Sequence, residues 1–176
     1  MDGSEGYELV TLANGVRSVH ARAFGETFHP VIGPVAEAEA LYVRQVRLRE
    51  RVRANPGGFV VWDVGLGAAA NALTVLRATR DLPVPIHLVS FDRTLDPLRF
   101  ALKHVEALGY FEGYERVIET LAEGTRTRLR FPDGARTVEW EVWVVDFPTF
   151  LGQAEARELA KPHAVLFDSY SPAANP

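Results

Sequence analysis

The stretch that decides the fold is Phe59–Gly67, with the sequence FVVWDVGLG. Its opening apolar run is typical of a parallel strand that is buried on both faces of a sheet. Asp63 ends that run, and Gly65 and Gly67 permit a tight turn into a helix that we predict over Ala68–Thr79. This strand–turn–helix unit predicts an α/β sheet with a ligand site at the carboxyl end of the strand.

The same alternation continues along the chain. Further buried strands are predicted over Ile86–Phe91, over residues 137–145 as the second arm of a hairpin, and over Ala164–Phe167. Helices are predicted over Asp96–Leu108 and Thr149–Ala160. Strands that alternate with helices imply a Rossmann-like, mainly parallel sheet with helices on both faces.

A smaller extension precedes this core. Two segments of alternating polarity flank Asn14-Gly15 and predict a β-hairpin, and a helix is predicted over Pro34–Arg53. We therefore expect a single domain over residues 1–176, with an N-terminal extension at 1–55 and the ligand-binding core at 56–176.

The composition excludes several kinds of site. The chain has 176 residues, a net charge of −4 and no cysteine, which rules out disulfides, thiolate metal sites and a cysteine nucleophile. Its histidines show no metal-ligand spacing, so no metal is expected. A polar N-terminus and the lack of a long apolar run predict a cytoplasmic protein with no membrane segment. The negative charge argues against a broad nucleic-acid surface.

An aspartate ends each of the four predicted core strands: Asp63, Asp92, Asp146 and Asp168. Because the carboxyl ends of parallel strands meet at one edge of a sheet, the four carboxylates are expected along one rim. The alternative interpretation is that they cap helices or form turns.

The glycine turn is compatible with two cofactors. With alanine in the third place it fits the looser dinucleotide pattern, which would indicate NAD. S-adenosylmethionine has no phosphate and carries an ammonium and a sulfonium, so Asp63 beside the turn favours that cofactor. Asp92 is placed to bind the ribose hydroxyls. Asp146 is placed to accept a hydrogen bond from the adenine amine, or to cap the next helix.

Two segments resemble the MnmC-type tRNA methyltransferases, within the class I S-adenosylmethionine-dependent methyltransferases. Leu166–Pro176 (LFDSYSPAANP) resembles the family's Asp-x-Phe-x-Pro-x-x-Asn-Pro signature, and Gly25–His29 (GETFH) resembles its Gly-Glu-Thr-aromatic-His segment. Asn71 matches an asparagine just after the family's glycine turn. Ala69 departs from the family pattern, because a third glycine is usual there.

The resemblance implies an activity and partners. Family members methylate the exocyclic amine of 5-aminomethyl-2-thiouridine at the wobble position of certain tRNAs. It therefore implies S-adenosylmethionine as cofactor, tRNA as partner, and a separate oxidoreductase that makes the amine. A class I sheet has more strands than the four predicted here, so the C-terminal strands are expected to be missing from the core.

The resemblance also assigns roles. Asp168 would be the catalytic carboxylate that orients the amine and accepts its proton. The substrate would contact Tyr170, Pro172 and Asn175. The cofactor would be bound by Asp63, Gly65, Gly67, Asn71, Asp92, Asp146, Glu26 and Thr27. Three other functions stay open: a class I methyltransferase with another substrate, an inactive cofactor-binding fragment, and an NAD-binding oxidoreductase.

Overall fold

The computed structural model describes residues 6–168. The N-terminal extension begins with a three-stranded antiparallel sheet of β1 (Tyr7–Thr11), β2 (Arg17–Ala21) and β3 (Glu26–Thr27). Gly15, with a φ of 84°, lies in the turn between β1 and β2. This positive φ is what the Asn-Gly signal predicts, and the hairpin is confirmed.

The core sheet has five strands in the order β6-β7-β5-β4-β8. Four of them run parallel, and β6 pairs antiparallel with β7 as the first arm of the predicted hairpin. The strands are β4 (Phe59–Val64), β5 (Ile86–Asp92), β6 (Arg126–Asp133), β7 (Arg136–Val144) and β8 (Ala164–Phe167). The mainly parallel sheet predicted from the sequence is confirmed, with β8 at one edge.

The helices that surround the sheets are short. They are α1 (Pro34–Ala38), a π-helix (Glu39–Gln45), α2 (Leu48–Arg53), α3 (Ala70–Ala78), α4 (Asp96–Leu102), α5 (Val105–Leu108), α6 (Glu115–Leu121), α7 (Phe147–Leu151) and α8 (Ala154–Glu158). None of the helices between residues 6 and 168 combines the length and apolar character that crossing a bilayer requires.

Three predicted helices are broken, and a continuous helix was wrong for each. In place of the helix predicted over Pro34–Arg53, α1 runs into a π-helix that ends at Gln45. Arg47, with a left-handed φ of 52°, then starts α2 in a new direction. The helix predicted over Asp96–Leu108 divides into α4 and α5. The helix predicted over Thr149–Ala160 divides at Gly152, a poor helix former, into α7 and α8.

Apolar side chains cover both faces of the core sheet. On one face, Leu88 and Trp140 are fully buried in a cluster that also contains Leu73 of α3. On the other face, Phe91 packs with Phe150 of α7, their ring centroids 5.5 Å apart. Because successive strand residues point to opposite faces, β5 contributes to both clusters. Helices on both faces of the sheet are thus confirmed.

Candidate active site

A cavity of about 520 Å³ lies at the carboxyl ends of the parallel strands. The glycine turn after β4 forms its floor, and the loop that follows β3 in the N-terminal extension contributes to its wall. Its polar lining groups are Glu26, His29, Asn71, Asp92, Arg93, Thr94, Asp146 and Asp168. Rings from Tyr7, Phe24, Phe28, Phe91 and Phe147 supply apolar surface. The edge of the sheet that was predicted to hold the ligand site therefore contains a cavity.

The glycine turn adopts backbone angles that glycine favours. Gly65 and Gly67 have φ values of 90° and 52°, and Ala69 also has a positive φ of 64°. A side chain at Gly67 would place its Cβ 3.4 Å from the Phe28 ring. Position 69 thus adopts the left-handed conformation with an alanine, where the family resemblance leads one to expect a glycine.

Asp92 holds the glycine turn as well as lining the cavity. Its Oδ2 accepts a hydrogen bond of 2.8 Å from the Gly67 amide, and its Oδ1 accepts one of 2.7 Å from the Arg93 amide. Burial raises the pKa of Asp92, and these amide donors oppose that rise. The carboxylate keeps unused lone pairs, so it is also able to accept from a ligand hydroxyl.

Asp146 caps a helix at the same rim. Its Oδ2 accepts hydrogen bonds from the Thr149 amide and hydroxyl, at 3.2 and 2.6 Å, which makes it the N-cap of α7. Its Oδ1 lies 2.8 Å from Arg93 Nε. The hydrogen bonds from Thr149 and Arg93 lower the pKa of Asp146. Asp146 therefore caps the next helix, as one of the two interpretations of this residue predicts, and its carboxylate also lines the cavity.

Asp168 contacts both Asn71 and His29 through one carboxylate oxygen. Its Oδ2 accepts a hydrogen bond of 2.7 Å from Asn71 Nδ2 and lies 3.5 Å from His29 Nε2. Asn71 is buried, and its Oδ1 has no hydrogen-bond partner among residues 6–168. The Asp168 side chain is 36% exposed. It is therefore fixed on one side and open to the cavity on the other.

Asp63 is not part of the cavity lining. Its side chain is buried beneath the sheet edge, where Oδ2 accepts a hydrogen bond of 2.8 Å from Ser90 Oγ. Ser90 Oγ in turn accepts one of 2.9 Å from Trp140 Nε1. Burial raises the pKa of Asp63 to about 7, with smaller contributions from the charges of Asp168 and Asp92.

The two predicted residues of β3 lie on different sides. Glu26 lines the cavity. Thr27 does not, and its hydroxyl lies 2.8 Å from His20 Nδ1 on the neighbouring strand. The three predicted substrate residues, Tyr170, Pro172 and Asn175, lie outside the described residues.

Sequence reasoning did not single out three residues at this site. Arg93 and Phe28 line the cavity. Arg93 follows Asp92 and Phe28 precedes His29 in the sequence, and this adjacency was the available signal for them. Tyr42, in the π-helix, donates a hydrogen bond of 2.8 Å to the carbonyl of Phe167, next to Asp168. The sequence places Tyr42 only within the helix predicted over Pro34–Arg53.

A separate cluster lies on the sheet between β5 and β7. The side chains of His87, Glu139 and Glu141 place their ligand-type atoms within 4.8 Å of one another. Strand register produces this group, because His87 lies opposite Glu139. Arg128 contacts both carboxylates, at 2.5 Å from Glu139 and 3.6 Å from Glu141. The cluster is accounted for as an ion-pair network away from the cavity.

Comparison with known proteins adds a fold match. No family model matches the chain, and no curated protein sequence matches it. Among solved structures, the crystal structure of MnmC2 from Aquifex aeolicus is similar, with a TM-score of 0.70 and 22% sequence identity. The match covers 97% of this chain and 52% of the MnmC2 chain, so this chain spans about half the length of that protein. The chain therefore has the fold of this part of MnmC2, a protein named for the same family that its sequence segments resemble.

Proposed function

We propose that this protein is an S-adenosylmethionine-dependent methyltransferase that acts on the aminomethyl group of the modified wobble uridine of tRNA. The observation that carries the proposal is the acid-lined cavity above the glycine turn. Glu26, Asp92, Asp146 and Asp168 all line it, whereas its one arginine, Arg93, pairs with Asp146. Such a cavity suits a ligand with an ammonium and a sulfonium better than one with a pyrophosphate.

The residues at the cavity fit the proposed cofactor. Asp92 would bind the ribose hydroxyls, Asp146 the adenine amine, and the turn at Gly65 and Gly67 would let the cofactor approach the backbone. Glu26 would face its ammonium group. Asp63 and Thr27 would support the site from behind, because neither lines the cavity. When bound, S-adenosylmethionine supplies an electrophilic methyl group.

Asp168 would perform the chemistry on the substrate side. A neutral amine attacks the methyl carbon, and a carboxylate beside it orients the lone pair and accepts the proton that is lost. The hydrogen bond from Asn71 fixes one Asp168 oxygen. Tyr170, Pro172 and Asn175 would hold the uridine, with Tyr170 stacking on its ring.

The proposed reaction defines the partners. The substrate is a tRNA whose wobble uridine carries a free aminomethyl group, and a separate oxidoreductase would generate that amine. The reaction would take place in the cytoplasm, where tRNA is modified. Since the net charge is −4, RNA binding would depend on local contacts around the cavity more than on the overall field.

The first test is cofactor binding by calorimetry, with S-adenosylhomocysteine and NAD titrated in parallel. We expect saturable binding of S-adenosylhomocysteine and none of NAD. Tight NAD binding without a response to S-adenosylhomocysteine would instead indicate an oxidoreductase.

The second test is transfer of labelled methyl groups to tRNA that carries the unmethylated aminomethyl uridine. Asp168→Asn should slow single-turnover transfer by about 10²- to 10⁴-fold, with S-adenosylhomocysteine affinity retained. Asp96→Asn is the matched control, because Asp96 lies on α4 and does not line the cavity. Cofactor binding without transfer to this tRNA would favour another substrate or an inactive cofactor-binding protein.

A further inference from the structure

His29 adopts an unusual backbone conformation at the wall of the cavity. Its φ is 50°, in the left-handed region, and its side chain is only 9% exposed. Non-glycine residues in this region are uncommon, although histidine is among the more frequent of them. Such strain persists where the surrounding structure fixes the residue, and it concentrates at functional sites.

The His29 imidazole lies between two carboxylates. Its Nε2 is 3.5 Å from Asp168 Oδ2, and its Nδ1 is 3.3 Å from Glu37 Oε1 on α1. The Glu37 side chain is 27% exposed. The three side chains therefore form a row that starts at the cavity and ends at solvent.

We propose that His29 relays to Glu37 the proton that Asp168 takes from the amine, and so restores the Asp168 carboxylate after each transfer. The inference rests on the proposed function. His29 is a positioning and relay residue, since it acts through Asp168 and not on the substrate. The distance of 3.5 Å is long for a hydrogen bond, but catalytic contacts are often long in the unliganded protein and shorten in the complex.

The step balances as follows. The amine nitrogen forms a bond to the methyl carbon while the carbon–sulfur bond breaks, and that electron pair stays on sulfur as a thioether. The nitrogen then loses one proton to Asp168 Oδ2, the oxygen that lies nearest to His29. The proton passes to Nε2 of a neutral His29 that carries its own proton on Nδ1, and the Nδ1 proton leaves through Glu37 to water. Before the next turnover, loss of the Nε2 proton to water and gain of one at Nδ1 restore the starting tautomer.

A relay of this kind requires neutral His29 and should therefore depend on pH. Other titratable or charged groups lie near this row. Glu26, Asp92, Arg93 and Asp146 line the same cavity, and Tyr42 and Asp63 interact electrostatically with Asp168. All of these groups stay in place when His29 alone is replaced. A comparison of two rates at each pH cancels their titration, as well as that of the substrate amine.

The test compares single-turnover methyl transfer by the wild-type protein and by His29→Asn between pH 5.5 and 8.5. Asparagine tolerates the left-handed conformation but does not titrate. Because only a neutral imidazole accepts the proton, the ratio of wild-type to variant rate should rise with pH, to about tenfold or more at the alkaline end. The affinity for S-adenosylhomocysteine should change less than about twofold, a difference below half a kcal/mol.

Two further variants complete the experiment. Glu37→Gln should give a pH-dependent ratio of the same direction, which keeps the test available if His29→Asn does not fold. His104→Gln is the control, because His104 packs on Phe100 and does not line the cavity. Its ratio should stay near one at every pH.

The outcomes separate the relay from the reaction itself. If the wild-type protein transfers no methyl group to the tRNA, the proposed function fails and the relay fails with it. If the wild-type protein is active but the His29→Asn and Glu37→Gln ratios do not vary with pH, the reaction stands and the relay is overturned. A constant loss would mean that His29 only supports the loop.

Discussion

The Asn71 amide donates a hydrogen bond of 2.7 Å to the Asp168 carboxylate, and so joins the helix after the glycine turn to the end of β8. The two residues are far apart in the sequence, but β4, which leads into the glycine turn and α3, is the sheet neighbour of β8. The bond couples the glycine-turn side of the cavity to the acid that we propose acts on the substrate. A substitution at Asn71 should therefore alter the position of the Asp168 carboxylate.

Replacement of Asn71 by alanine tests that coupling. Loss of a hydrogen bond to a charged group should cost stability. Removal of Oδ1, a buried oxygen with no partner in the described part of the chain, offsets part of that cost, so we expect a net loss of about 1 kcal/mol. Methyl transfer should fall by about tenfold, because Asp168 loses one of its anchors. Urea unfolding and single-turnover transfer measure the two effects. A full rate with the same loss of stability would show that the bond is only structural.

The raised pKa of Asp63 predicts a pH-dependent stability. Burial raises this pKa to about 7 from an ordinary value of 3.8, so the folded state holds a proton that the unfolded state has lost. The contribution to stability is fully present below about pH 4 and disappears as pH rises through about 7. Free energies of unfolding should therefore decrease from pH 5 to pH 8.

Asp63→Asn separates this effect from the other acids. Asparagine resembles the protonated aspartate, so the slope between pH 5 and pH 8 should become shallower and the variant should be the more stable protein at pH 8. The lowered pKa of Asp146 acts in the opposite direction and only at more acidic pH. An unchanged slope in Asp63→Asn would show that another group causes the dependence.

Gly134→Ala tests a tight contact far from the cavity. Gly134 has a φ of +61°, and a Cβ there would lie 2.5 Å from the Arg80 carbonyl oxygen. The strain and the clash together should destabilise the protein by about 2–4 kcal/mol. Gly15→Ala is the matched control, since its φ is +84° but no atom of residues 6–168, other than its own chain neighbours, lies within 4 Å of the added Cβ. It should cost about 1–2 kcal/mol, and equal losses in the two variants would mean that the clash relaxes.

Two substitutions at Asp146 separate capping from cofactor binding. Asp146→Asn keeps a good N-cap and an acceptor oxygen, so stability should change by less than about 0.5 kcal/mol. Asp146→Ala loses both, and we expect about 1 kcal/mol less stability together with about two- to tenfold weaker binding of S-adenosylhomocysteine. Thermal unfolding and calorimetry provide the measurements. Loss of stability in Asp146→Ala without weaker binding would leave capping as its role.

The strand pattern was predictable, because continuous apolar runs ending in aspartate mark parallel strands and their carboxyl ends. Asp92, Asp146 and Asp168 accordingly line one cavity. Asp63 has the same sequence signal but points into the core, where Ser90 binds it. The sequence shows that a residue ends a strand. It does not show whether the side chain faces the open cavity or the face of the sheet that α3 covers.

The contacts of His29 were not predictable for a different reason. The imidazole meets Asp168 only because the N-terminal extension packs against the carboxyl edge of the core sheet, and no periodicity encodes that docking. The breaks in the predicted helices likewise depend on tertiary packing, which overrides helix propensity over short stretches. The roles of the site residues stay predictions until ligands are titrated.

The hydrogen bond from the Gly67 amide to Asp92 has a consequence for cofactor choice. In a dinucleotide site, the amides of such a turn are left free to receive a pyrophosphate. Here the Asp92 carboxylate already accepts a hydrogen bond from the Gly67 amide. A phosphate that bound this amide would have to displace the carboxylate, so one anion would replace another. We therefore expect this turn to disfavour nucleotide diphosphates, independently of any contact with the adenine or ribose.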